Sequence, residues 1–180
     1  EGHPGGEVTY RLGQMSESRL QHVDLGVVMC VRRAIEITLQ DFGVYEGLRD
    51  LARQKKLFEA GASRTLNSYH LPDRFGLSHA VDLVPYIDGR LQWQDVPCLR
   101  VAQAMHQAAT ELDVELTWGA AWDRPLRALD RQNLAREVDA YAQRWHKQRG
   151  PRPLNFEGVW GPLIDRPHFQ GVREQAALAA

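Results

Sequence analysis

The sequence predicts an α+β protein built as one domain. Three observations carry that reading. At 180 residues the chain is a little longer than one typical domain and too short for two comfortable ones. Apolar residues recur at helical spacing in four stretches and alternate in two others. No internal repeat at solenoid periods is present.

Ser16 to about Leu39 reads as the first helix, with Ser16 or Ser18 as N-cap and Leu20, Val23, Val27, Val31, Ala34, Ile35 and Thr38 at helical spacing. Asp41-Phe-Gly-Val44 reads as a connector. A second helix over about Asp50 to Ala60 turns Leu51, Leu57 and Phe58 inward and stops at Gly61. Residues 61–76 have no clear period and read as a loop. Ala80 to Pro85 alternates, is rich in β-formers and predicts a strand interrupted by Asp82. Gly89 closes a turn, and Pro97 opens a helix that runs to Leu112. Val114 to Trp118 is a second alternating strand, halted by Gly119. Leu134, Val138, Tyr141 and Trp145 mark an amphipathic helix stopped by Gly150-Pro151. Arg166 to Gln170 is a short terminal strand, and Gln175 to Ala180 a small-residue tail expected to fray.

Composition narrows the function classes. With 43% hydrophobic and 25% charged residues, the chain can bury a core without a disulfide framework. A formal net charge of −1 argues against nucleic acid held by bulk positive charge. Cys30 lies in an apolar stretch and reads as a buried thiol; with no C-x-x-C there is no thiolate zinc site. The longest apolar run, Leu25 to Val31, is far short of a membrane span. No basic segment followed by an apolar one opens the chain, so no secretory signal is read, and Glu1 to Gly6 reads as a processed or artificial end.

Common catalytic signatures are absent: no H-E-x-x-H, G-x-S-x-G, P-loop or G-x-G-x-x-G occurs. What remains is a set of His and Asp residues at element ends, in Ser68-Tyr-His70, His79-Ala-Val-Asp82 and Asp165-Arg-Pro-His168. A catalytic zinc needs three N/O ligands and an open position for water, and two histidines with one carboxylate would supply that set. Asp82 is informative by itself, because a carboxylate among Val81, Leu83 and Val84 is costly to bury unless paired or metal-bound. Its plainer reading is an ion pair with Arg49 or Arg74.

These motifs, together with Trp118-Gly-Ala-Ala-Trp122, resemble the M15 zinc peptidases, closest to the VanY-like L-alanyl-D-glutamate endopeptidases of phage endolysins. The resemblance spans about Ser16 to Trp122 and Trp160 to Gln170. It implies a small antiparallel sheet with flanking helices around one Zn2+, within a domain over residues 16–170 that follows an extension over 1–15 and precedes a tail over 171–180. It implies His70, Asp82 and His168 as zinc ligands, Asp165 as general base and Arg49 facing the scissile carbonyl. The implied activity is hydrolysis of the L-Ala–D-Glu bond of the peptidoglycan stem peptide. The implied protein is a monomer without nucleic-acid partner or membrane insertion, made in the cytoplasm and acting on the wall. A D-Ala-D-Ala carboxypeptidase or dipeptidase on the same scaffold, or a non-catalytic cell-wall-binding module, are the alternatives.

Three departures from the family pattern stand out. His70 and Asp82 are twelve residues apart where the family spacing is seven, so Leu71 to Ser78 carries an insertion. An acidic residue usual between the two tryptophans is missing from Trp118-Gly-Ala-Ala-Trp122. Residues 123–159 form a helical insertion before the terminal motif. Its segment 124–149 holds seven basic against three acidic residues, which reads as a solvated helix face or, less favoured, a basic arm for an anionic wall.

His79 rivals His70, yet three residues from Asp82 on a strand it falls on the opposite face. It therefore reads as structural, as do His22, His106 and His146. Asp165 and Arg49 have plain readings too, as a turn residue and a surface arginine. Tyr69, Phe75 and Trp93 read as core edge or as lining for a substrate groove.

Overall fold

Alternation along Ala80 to Pro85 sends Val81 and Leu83 to one side and Asp82 to the other, and that strand is the spine of the fold. The computed structural model describes residues 9–150 and 161–173, so the expectations for 1–6 and 175–180 lie outside the described residues. In order, the elements are α1 (Gln14–Arg19), α2 (Leu25–Ile37), β1 (Phe42–Glu46), α3 (Leu51–Glu59), β2 (Ala80–Ile87), β3 (Arg90–Leu91), α4 (Asp95–Glu111), β4 (Leu116–Trp118), α5 (Leu134–Arg149) and β5 (His168–Gly171). Two short 3-10 turns, Leu126–Ala128 and Arg131–Asn133, precede α5.

The sheet is antiparallel in the order β1-β2-β5-β4, with β3 folded back on the end of β2. One face carries Val44, Val81, Leu83, Leu116, Trp118 and Phe169, which pack with α2 and α4 into a single apolar core. Trp118 and Phe169 are fully buried and stack 6.4 Å apart, the kind of aromatic pair that adds to plain area burial. The other face carries Asp82, which lies directly opposite His168 on β5. Directly opposed residues of an antiparallel pair share a face, so the sheet itself brings these two side chains together.

Three sequence expectations are corrected. The helix expected over Ser16 to Leu39 is two helices, because His22 adopts φ 59° and the strand-like pairing of Ser78 with residues 22–24 intervenes. Asp24 then caps α2 by accepting from the Gly26 and Val27 amides. Residues 41–44, read as a connector, belong largely to edge strand β1, whose Val44 amide is capped by the Ser16 hydroxyl at 3.0 Å. In α3 the inward residue is not Leu51 or Phe58, both well exposed, but Gln54. Its amide donates to Ser63 and Thr65 and its oxygen accepts from Arg49, so a polar anchor stands where an apolar stripe was expected.

α5 forms as expected and buries Leu134, Val138 and Tyr141. Three of the seven basic residues around it have acidic partners: Arg127 pairs with Asp113 and Glu115, Arg144 with Asp123, and Arg124 with Glu137. The helix thus packs on the core through one face and carries its charged residues on the other.

Candidate metal centre

Three side chains converge on the open face. His70 Nε2, His168 Nδ1 and Asp82 Oδ1 form a triangle with edges of 3.2, 3.2 and 3.1 Å. His70 comes from the loop before β2, held by a bond from its amide to the Ser68 hydroxyl and by the Arg49 amide on its carbonyl. Asp82 and His168 come from the paired strands β2 and β5.

The outer nitrogens of both imidazoles are committed. His70 Nδ1 donates to the Gly47 carbonyl at 2.7 Å, and His168 Nε2 donates to Gln170 Oε1 at 3.1 Å. With those protons placed outward, neutral imidazoles turn two lone pairs toward a carboxylate oxygen. Three acceptors that close repel one another unless a cation lies between them. A tetrahedral ion with bonds of about 2.0–2.1 Å spaces its ligand atoms by roughly 3.3–3.4 Å, close to the edges observed. The donor set therefore fits a divalent metal that takes nitrogen and oxygen ligands, with outward hydrogen bonds of the kind that orient metal-bound histidines.

Electrostatics point the same way. Burial alone would raise the Asp82 carboxyl, but His70 and His168 outweigh it and hold it well below the usual range. Burial would lower His168, yet Asp82 and then Asp165 draw it upward. Asp165 is raised, first by burial and then by the charge of Asp82. It enters on the turn before β5, its amide donating to the Gly119 carbonyl at 2.9 Å. A Cβ at Gly119 would meet His168 Cβ at 2.9 Å and the Asp165 carbonyl closer still, so only glycine lets this turn close on β4.

Arg49 is buried beside the triangle, 2.5 Å from Glu46 and 3.7 Å from Asp82, and its Nε has no partner. His79 stands apart from the triangle: its Nε2 meets Asp73 Oδ2 at 2.9 Å, and Asp73 also accepts from the Phe75 and Leu77 amides. The insertion in the ligand loop thus supplies its own partner for His79. His106 bonds the Leu129 carbonyl, in keeping with a structural role. Tyr69 and Phe75 line a cavity of about 880 Å³ behind the ligand loop, bounded by Arg173.

Residues that sequence reasoning missed are the supports. Glu46 joins Arg49 and Arg53. Gly47 must be glycine, because a Cβ there would run into the Arg19 carbonyl and come within 2.9 Å of Val23. Trp122 lies against His168 with ring centroids 5.1 Å apart. Gln170 had a visible signal, since two residues beyond His168 on a strand is the same face.

Fold and site together define an α+β protein with a cluster of two histidines and one carboxylate that could hold a metal ion, the donor set found in zinc hydrolases. Residues 8–140 match the model of the phage L-alanyl-D-glutamate peptidase family, and the chain belongs to that family. It is 31% identical over 121 residues to the L-alanyl-D-glutamate peptidase of Escherichia phage T5, covering 64% of this chain and 84% of that protein. The crystal structure of the Serratia marcescens L-Ala D-Glu endopeptidase ChiX matches with a TM-score of 0.62 and 28% identity over 91% of both chains. The family match ends before Asp165 and His168, so for the terminal motif the geometry described above carries the argument.

Proposed function

We propose that the protein is a zinc-dependent peptidoglycan endopeptidase that hydrolyses the L-Ala–D-Glu bond of the murein stem peptide. The single observation carrying this is the convergence of His70, Asp82 and His168 in a member of the phage L-alanyl-D-glutamate peptidase family. The catalytic unit is residues 16–170, with 123–159 as an insertion whose described part, to residue 150, carries α5. No helix among the described residues is long and apolar enough to cross a membrane, and the working place is the cell wall.

In this reading His70, Asp82 and His168 hold the metal. When bound, Zn2+ supplies a Lewis acid and lowers the pKa of its water toward neutrality. Asp165 takes the proton of the attacking water and hands it to the leaving D-Glu amine; its raised carboxyl is suited to both transfers. Arg49, oriented by Glu46 and Gln54, directs its guanidinium toward the oxyanion that develops on the L-Ala carbonyl. Incubating purified protein with murein, with and without chelator, and weighing the products by mass spectrometry tests the reading. The expected product is a peptide beginning with D-Glu, abolished by the chelator. Released D-alanine would instead make it a carboxypeptidase, and intact murein a binding module.

A further inference from the structure

An aromatic pair lies beside β2, the strand that carries Asp82 of the triangle. A β-bulge between Val44 and Glu46 inserts Tyr45 beside Glu46, whose partner across the ladder is Asp82. Farther along β2 from Asp82, Tyr86 pairs with Leu91 of β3, and the chain then leads to Trp93. Its indole meets the Tyr45 ring edge to face at 5.1 Å. Trp93 is 54% exposed and Tyr45 39%, so neither ring is used by the core. The Tyr45 ring is held further by Arg19, whose guanidinium lies 5.9 Å from its centroid and bonds the Val44 carbonyl. Two exposed aromatic rings braced against each other, one of them also held by Arg19, form an aromatic surface next to the candidate metal centre.

We propose that Tyr45 and Trp93 form a sugar subsite that takes a pyranose ring of the N-acetylated glycan strand. This rests on the peptidase reading above. In the stem peptide the L-Ala amine is acylated by the lactyl ether of the muramic sugar, so the scissile bond lies one residue from a pyranose ring. The substrate must therefore carry a sugar close to the metal, on one side of it. Pyranose faces present C–H groups that pack on the electron-rich faces of indole and phenol rings. Tyr45 adjoins Glu46, which pairs with Arg49 and lies opposite Asp82 in the ladder, so the aromatic pair begins one residue from the side chains around the candidate centre.

The test uses the full-length protein and two readouts. First, titration with triacetylchitotriose is followed by the indole N–H resonances in a ¹⁵N-labelled sample, assigned with Trp93→Phe. The Trp93 resonance is expected to shift, whether or not the protein cleaves murein. Second, kcat/KM is compared for a disaccharide-linked stem peptide and for the same peptide without sugar. Trp93→Ala is expected to lower the ratio of the two by about tenfold, the scale of truncating a buried aromatic anchor, and Trp93→Phe to restore most of it. An unmoved Trp93 resonance together with an unchanged ratio would overturn the subsite. A shifted resonance in a protein that cleaves neither substrate would overturn the peptidase reading and leave the sugar site standing.

Discussion

The imidazole of His70 donates from Nδ1 to the carbonyl of Gly47 at 2.7 Å, and this bond decides which nitrogen faces the metal site. The Gly47 backbone thereby acts as an outer support of the centre, on a loop that leaves β1 and runs against α1. Any substitution at Gly47 displaces that carbonyl. Gly47→Ala is expected to weaken metal retention against a chelator by about one to two decades, the range of lost outer supports, with the metal content of dialysed protein as the measurement.

Metal content also separates the two histidines near β2. His70→Ala and His168→Ala are expected to purify without zinc, whereas His79→Ala retains it, because His79 binds Asp73 and not the triangle. Elemental analysis decides it. Full occupancy in His70→Ala would mean that the ligand set has been assigned wrongly.

Asp165→Asn preserves size and removes the base. Zinc is expected to stay bound while kcat falls by about two to four decades. The wild-type carboxyl is raised by burial and by Asp82, so the basic form is lost as pH falls through a value above the usual aspartate range. The acid limb of the kcat profile should lie correspondingly high and be absent from the residual activity of the variant. Near-normal turnover in Asp165→Asn would reduce Asp165 to a turn residue.

The ligand loop should show its own pH signature. The Asp73 carboxyl is pulled down from 3.8 to about 2, first by its bond to His79 and then by the Leu77 amide. A lowered folded pKa means stability that is present above the ordinary value and lost as pH falls through the folded one. Wild type and Asp73→Asn are therefore expected to differ in urea midpoint at pH 5 and to converge near pH 2. A constant difference across that range would show that the Asp73 charge plays no part.

Leu134 is expected to behave as a core residue. It is 2% exposed at the start of α5, and Leu134→Ala should cost roughly 2–5 kcal/mol in denaturant unfolding. A change under 1 kcal/mol would detach α5 from the core.

Legibility in the sequence followed the physics of each signal. Asp82 stood out because a carboxylate inside an apolar strand needs a reason to be there, whereas His70 and His168 were singled out by the motifs that resemble the M15 peptidases. β1 was hidden because Phe42-Gly-Val44 is short and has a glycine in the middle. The break between α1 and α2 was masked by Leu20 and Val23, which continue the helical period although they are buried against other elements. Gln54 could not be foreseen as the inward residue of α3, since its value lies in holding a loop and Arg49 rather than in apolar area. Glu46, Gly47 and Trp122 act through contacts that exist only after the chain has folded.

β5 is the last strand in sequence among the described elements, yet it occupies the interior of the sheet, between β2 and β4. Ninety-eight residues separate the two histidines of the triangle. Until β5 is in place, β2 and β4 expose open edges and the triangle lacks His168. Closing the sheet with β5 and completing the triangle with His168 are therefore one and the same structural event.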